Sequence, residues 1–291
     1  MDLIGKTKAF FELIKFEHSI FALPFAYLGL FFAEGRFPRP HLLFWVTIAM
    51  VAIRTAGMCL NRLIDQELDE QNPRTRGRIP LIEILKRPRL WMIAIGSIAI
   101  FIFSAAQLNS ICFFLSPVPV LLVWVYPYSK RITWCSHFLL GMILGLAPYA
   151  GWLAGRGHWS LIPLLLTLAV MSWVSGFDMF YALQDLEFDQ AHQLYSYPAR
   201  YGVKRTILSV SVLHSITIFA LALLGWVVAL GFWYWIGWTI VVALIVREHG
   251  LVHRFGLGKI DEAFFNMNAL VSVVIFLAAA LQLTVHPIYF R

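Results

Sequence analysis

Nine stretches of mostly apolar residues follow one another along this chain, at roughly 17–34, 41–64, 89–108, 110–128, 136–154, 159–184, 205–230, 232–248 and 263–285. Each is close to the length of about 20 residues at which an α-helix crosses a bilayer. With 60% hydrophobic and 13% charged residues over 291 positions, the chain lies far outside the soluble globular range. The expectation is an all-α integral membrane protein with nine transmembrane helices, forming a single domain over residues 1–291.

Basic residues set the expected orientation. With the N-terminus in the cytoplasm, seventeen Lys and Arg side chains fall on the inner side: Lys6, Lys8, Lys15, Arg74, Arg76, Arg78, Lys86, Arg87, Arg89, Lys130, Arg131, Arg200, Lys204, Arg205, Arg247, Arg254 and Lys259. Four fall outside, namely Arg36, Arg39, Arg156 and Arg291, and Arg54 and Arg62 sit at membrane depth. That imbalance predicts an inside N-terminus and an outside C-terminus. The net charge of +7 then reflects topology and contact with membrane lipid headgroups, and nucleic acid is not an expected partner. Residues 1–16 alternate apolar and basic groups at helical spacing with no small-residue cleavage site, which predicts an interfacial helix and not a signal peptide. Cys59, Cys112 and Cys135 lack metal-ligand spacing and read as packing residues.

Two stretches carry the chemistry. Asn61, Asp65 and Asp69 end the second span, and Tyr181, Asp185 and Asp189 end the sixth. Residues four and eight apart share one helix face, so each stretch predicts a column of two carboxylates with a polar group one turn before it. The two spans run in the same direction, so both columns are expected on the cytoplasmic side, where they can face each other. Arg74, Arg76 and Arg78 follow the first column, and Tyr126-Pro127-Tyr128-Ser129-Lys130-Arg131 ends the fourth span on the same side. Carboxylates with flanking cations suit a magnesium diphosphate, because Mg²⁺ takes one or two carboxylates and fills its other positions with water and phosphate oxygen. An apolar chamber rich in the chain's 24 Phe, 11 Trp and 10 Tyr suits an isoprenoid tail and shields an allylic carbocation.

Blander readings stand beside these. One Asp pair at a helix end is ordinarily a solvated last turn, and Tyr-Pro-x-x-Lys-Arg is an ordinary helix stop with basic anchors; the two matching columns weigh against the first. Trp226, Trp233, Trp235 and Trp238 read as an interfacial aromatic belt. His249 and His253 read as a headgroup-facing helix end, and His18 as packing. A divalent-cation transporter is the competing class, but it requires carboxylates near the bilayer midplane.

With these motifs the chain resembles the UbiA-type membrane prenyltransferases, whose two aspartate motifs match Asn61, Asp65 and Asp69, and Asp178, Tyr181, Asp185 and Asp189. The resemblance extends over about 15–205 and includes Asn72-Pro73-Arg74-Thr75, Arg78-Ile79-Pro80-Leu81 and Tyr126-Pro127-x-x-Lys130-Arg131. It is closest to 4-hydroxybenzoate polyprenyltransferases and to relatives linked to menaquinone made through futalosine, whose acceptor is a dihydroxynaphthoate. The family often places Asp directly after the first Asn; this chain has Arg62. The resemblance implies helices around a central cavity. It also implies Mg²⁺-dependent transfer from a polyprenyl diphosphate to an aromatic acid acceptor in ubiquinone or menaquinone biosynthesis. The setting it implies is a bacterial inner (plasma) membrane with the site facing the cytoplasm. By the same resemblance Asp65, Asp69, Asp185 and Asp189 bind metal, and Asn61, Arg74 and Asp178 join the diphosphate shell. Lys130 and Arg131 neutralise the departing diphosphate, Tyr126 and Tyr181 line the cation, and Arg54 pairs with the acceptor carboxylate or braces Asp65.

Overall fold

The computed structural model describes residues 3–15, 19–255 and 260–288, with side chains over 4–15, 23–254 and 267–288. His18, Lys259 and Arg291, given packing or topological roles above, lie outside the described residues, as does the end of the expected interfacial helix at Phe16.

Every regular element among the described residues is helical. In chain order, α1 (Leu3–Leu13) and α2 (Ser19–Glu34) precede the long α3 (Pro40–Ile64). A short α4 (Gln66–Gln71), a 3-10 turn at Arg76–Arg78 and α5 (Ile79–Leu85) follow. Next come α6 (Arg87–Leu108), α7 (Ser110–Leu115), α8 (Pro117–Ser129), α9 (Ser136–Arg156) and α10 (Ile162–Ala182). A second 3-10 turn, Leu183–Asp185, leads to α11 (Leu186–Ala191), and α12 (Tyr197–Val227), α13 (Phe232–Phe255) and α14 (Ile260–Val285) close the chain.

Eight helical stretches among the described residues are long and apolar enough to span a membrane, with α7 and α8 forming one and α10 with α11 another. The expected first span corresponds to α2, whose helix is 16 residues. The expected fourth span is interrupted at Ser116, because Pro117 and Pro119 lack the N–H that a continuous helix donates four residues back.

The chain divides into two compact units, Met1–Ser19 with Phe44–Tyr128, and Ile20–Leu43 with Ser129–Arg291. In the first, α1 packs on α5. Edge-to-face contact of Trp45 with Phe103 joins α3 to α6, and tilted contact of Trp91 with Trp124 joins α6 to α8. Asn109 caps α7 by accepting from the Cys112 amide at 2.9 Å.

In the second unit α10 packs between α9 and α12. Lipid-embedded helices gain little from hydrophobic segregation, so they associate through close backbone approach and side-chain hydrogen bonds. Gly141 and Gly145, four apart on α9, supply the approach: a Cβ on Gly141 would lie 2.5 Å from the Met171 carbonyl oxygen of α10. Ser172 and Thr217 supply the polar link between α10 and α12, with hydroxyls 2.9 Å apart. The N-terminal turn of α12 is set off by Gly202, whose φ of 76° suits only glycine well.

Candidate active site

The repeated spacing is a repeated backbone device. α3 ends at Ile64 and Asp65 leaves helical geometry with φ −92° and ψ 7° before α4; Asp185 does the same with φ −96° and ψ 7° before α11. This is the sparsely allowed bridge region, in which many active-site residues sit. In the first column the four-back hydrogen bonds nevertheless run through the break, from the Asp65 amide to Asn61 O at 3.0 Å and from the Asp69 amide to Asp65 O at 2.8 Å. The column register predicted from sequence therefore survives although the helix does not.

In the first column the Asn61 amide nitrogen donates to Asp65 Oδ2 at 2.7 Å, and Arg62 Nη1 donates to Asn61 Oδ1 at 3.0 Å. Arg62 is buried, and its Nε donates to the Leu13 carbonyl of α1 at 3.2 Å. Arg78 Nη1 donates to Asp69 Oδ1 at 2.9 Å, and Arg62 Nη1 lies 3.9 Å from Asp69 Oδ2. The Thr75 hydroxyl donates to the Asp69 carbonyl at 3.3 Å, holding the turn that returns Arg78 to the column. Arg74, the expected substrate contact, is exposed, and Arg78 of the same loop reaches Asp69. Arg54 extends Nη2 to 3.5 Å from the Lys15 carbonyl. Tyr126 is half-buried and within electrostatic reach of Arg62.

The second column is more enclosed. Asp185 and Asp189 are both buried, and Lys130, Asp185 and His137 are the titratable neighbours of Asp189. The Ser196 hydroxyl bonds the Asp189 carboxylate while accepting the Ala199 amide at 3.3 Å, so one side chain caps α12 and steadies the metal-ligand candidate. Lys130 is held nearby through its own carbonyl, which accepts the Tyr195 amide at 2.8 Å; Arg131 is exposed. Tyr181 packs half-buried against a core of Met179, Phe180, Leu183, Val210 and Val252.

Sequence reasoning missed His137. It is fully buried at the start of α9, with Nδ1 2.6 Å from Asp178 Oδ2 and Nε2 accepting the Tyr197 amide at 3.3 Å. A ring that accepts at Nε2 carries its proton on Nδ1, so His137 donates to Asp178 and aims it. Lone histidines give no spacing signal, which is why it escaped notice. The reading of His249 as a headgroup-facing residue is corrected. Its Nε2 lies 2.9 Å from His214 Nδ1, and its ring meets Phe180 edge-on, because α13 turns this residue toward α10 and α12.

Each column, taken by itself, fits a divalent cation. Asp69 Oδ2 and Asp189 Oδ2, at equivalent places in the two columns, are both buried and lack a hydrogen-bond partner. An orphaned carboxylate oxygen is costly to bury, and a bound cation is one of the few ways to satisfy it. Among the described residues no three His, Cys, Asp or Glu side chains gather as a metal site. Two carboxylates per column suit Mg²⁺, which takes the remainder of its octahedron from water and phosphate oxygen.

Comparison with known proteins shows the family. The profile of the UbiA prenyltransferase family matches residues 22–270. A 4-hydroxybenzoate octaprenyltransferase of Xanthomonas campestris pv. campestris (strain B100) is 30% identical over 88% of this chain and 84% of its own length. One from Photobacterium profundum is 28% identical over 97% and 99%. Among solved structures, a UbiA homolog from Aeropyrum pernix K1 superposes with a TM-score of 0.83 at 30% identity, covering 91% of this chain and 98% of that one. A UbiA homolog from Archaeoglobus fulgidus bound to DMAPP and Mg²⁺ shares the fold with a TM-score of 0.75 at 17% identity, over 94% and 98%. The chain is a membrane-embedded transferase that belongs to the UbiA prenyltransferase family.

Proposed function

We propose that the protein transfers a polyprenyl group from polyprenyl diphosphate to an aromatic acid of the 4-hydroxybenzoate type, with Mg²⁺, in quinone biosynthesis. The observation that carries this reading is that each column buries one carboxylate oxygen without a hydrogen-bond partner, Oδ2 of Asp69 in the first and Oδ2 of Asp189 in the second. The names of the similar 4-hydroxybenzoate octaprenyltransferases support the acceptor class, and the A. fulgidus homolog with DMAPP and Mg²⁺ supports the donor and metal. The family match runs through both compact units, which supports one catalytic domain over 1–291.

Asp65, Asp69, Asp185 and Asp189 are assigned to the metal. Mg²⁺ supplies the positive charge that makes diphosphate a leaving group. Lys130 and Arg131 neutralise the diphosphate as the allylic C–O bond breaks, and Arg74 and Asp178 belong to the same shell. Tyr126 and Tyr181 offer ring faces to the allylic cation. The ring carbon beside the acceptor's phenolic hydroxyl takes up the cation and then loses its proton, so the products are the prenylated acid and diphosphate. Arg54 is assigned to the acceptor carboxylate; its five N–H donors allow it to hold the Lys15 carbonyl and a carboxylate together. The basic-residue bias supports an inside N-terminus and a site on the cytoplasmic face of the plasma membrane.

The test is transfer from radiolabelled prenyl diphosphate to 4-hydroxybenzoate and, separately, to dihydroxynaphthoates, with EDTA and Mg²⁺ add-back. Product with 4-hydroxybenzoate that disappears in EDTA and returns with Mg²⁺ is the expected result. Product only with dihydroxynaphthoate reassigns the acceptor, and full activity in EDTA removes the metal clamp.

A further inference from the structure

Arg62, next to Asn61 in the first column, holds three things at once. Its Nε bonds the Leu13 carbonyl at 3.2 Å, its Nη1 bonds Asn61 Oδ1 at 3.0 Å, and the same Nη1 lies 3.9 Å from Asp69 Oδ2. The side chain is 6% exposed, so water does not compete for these contacts.

A guanidinium has only donors. The Asn61 amide must therefore turn its oxygen to Arg62 and its nitrogen away, and the nitrogen meets Asp65 Oδ2 at 2.7 Å. The oxygen of Asn61 is occupied, and its NH₂ pins one oxygen of Asp65. A fixed second partner of this kind orients a ligating carboxylate, and losing it typically costs 10–100-fold in metal affinity. The outer end of the chain of contacts is anchored on α1, because Leu13 belongs to that helix and is itself buried.

We propose that Arg62 is a positioning residue: by holding the Asn61 oxygen against the anchor at Leu13, it makes Asn61 a hydrogen-bond donor that orients Asp65, and leaves Asp65 and Asp69 as the metal-binding oxygens of this column. The inference rests on assigning the first column to the magnesium diphosphate. A competing effect has the opposite sign, since removing a cation near the column favours Mg²⁺ by relieving repulsion. Arg62→Lys separates the two. Lysine keeps the charge, but a single ammonium on a flexible stem does not reproduce the planar fork that meets Leu13 O and Asn61 Oδ1 together.

The experiment is calorimetric titration of Mg²⁺ with an unreactive geranyl thiolodiphosphate into the detergent-solubilised full chain. The variants are Arg62→Lys, Asn61→Ala, the double variant and Asp65→Asn, each checked for monodisperse elution. Arg62→Lys is expected to weaken Mg²⁺-dependent binding about 10-fold, and to cause no further loss in the Asn61→Ala background, because it acts through Asn61. Binding within about twofold of the parent, or an equal loss in both backgrounds, overturns the positioning role while leaving the column assignment intact when Asp65→Asn abolishes binding. Undiminished binding in Asp65→Asn overturns the column assignment itself, and the inference with it.

Discussion

Replacing the last carboxylate of each column by its amide should have unequal effects on stability in the two columns and the same effect on turnover. Asp189 is 2% exposed, and its Oδ2 has no hydrogen-bond partner. Asn at this position removes a buried, incompletely compensated charge, while its carbonyl still accepts from Ser196. The amide nitrogen that takes the place of Oδ2 is itself without an acceptor, a cost of about 1–3 kcal/mol that loss of the buried charge offsets, so Asp189→Asn should leave the metal-free protein within about 1 kcal/mol of the parent. Asp69 differs because Arg78 Nη1 bonds it at 2.9 Å and the buried Arg62 lies 3.9 Å away. Breaking a fully buried ion pair costs about 3–5 kcal/mol, but Arg78 is 28% exposed and water takes part of its charge. Asp69→Asn should therefore destabilise by about 1–3 kcal/mol. Both variants should lower transfer about 100-fold, equivalent to about 2.7 kcal/mol in the barrier. Thermal unfolding in EDTA, read by intrinsic Trp fluorescence beside the transfer assay, checks both halves. Loss of stability in Asp189→Asn comparable to that in Asp69→Asn, or activity near the parent's in either, would refute the reading of the orphaned oxygens as a metal site.

Further outcomes follow from other contacts. His137→Phe fills the space but leaves Asp178 without its donor and the Tyr197 amide without its acceptor. It should cost about 2–4 kcal/mol by thermal unfolding, counting roughly 1–3 for each orphaned group with partial overlap, and stability equal to the parent's would show that the pair does not matter. Arg54→Ala should raise the acceptor KM far more than that of the prenyl diphosphate; the reverse pattern moves Arg54 to the phosphate shell. Gln193 and Arg36 are both exposed. Cysteine introduced at Gln193 should react with an impermeant reagent only after the cytoplasmic face is opened, and one at Arg36 from outside; the opposite labelling would reverse the topology.

What the sequence determined by itself was whatever depends on neighbours along the chain. An apolar run of about 20 residues in a bilayer becomes a helix because its backbone groups must bond one another, so the spans were legible, as were the columns, whose spacing is a property of the helix. Even there the break was hidden: four-residue spacing predicts a face, yet nothing in Asn61–Asp69 announces that Asp65 leaves helical geometry. What only the tertiary structure decided was which side chains meet. His137 and Asp178 are 41 positions apart, Arg62 and Leu13 are 49 apart, and His214 and His249 are 35 apart. Each meeting depends on how helices are rotated about their axes and how closely they pack, and in a membrane close approach is set by sparse contacts such as Gly141 on Met171 and Ser172 on Thr217. Local periodicity carries little of that rotation, which is why Arg62 had no role on paper and His249 had the wrong one. The same reason hid the bond from Arg78 to Asp69: the turn held by Thr75 returns that side chain to the column, and loop conformation has no period to read.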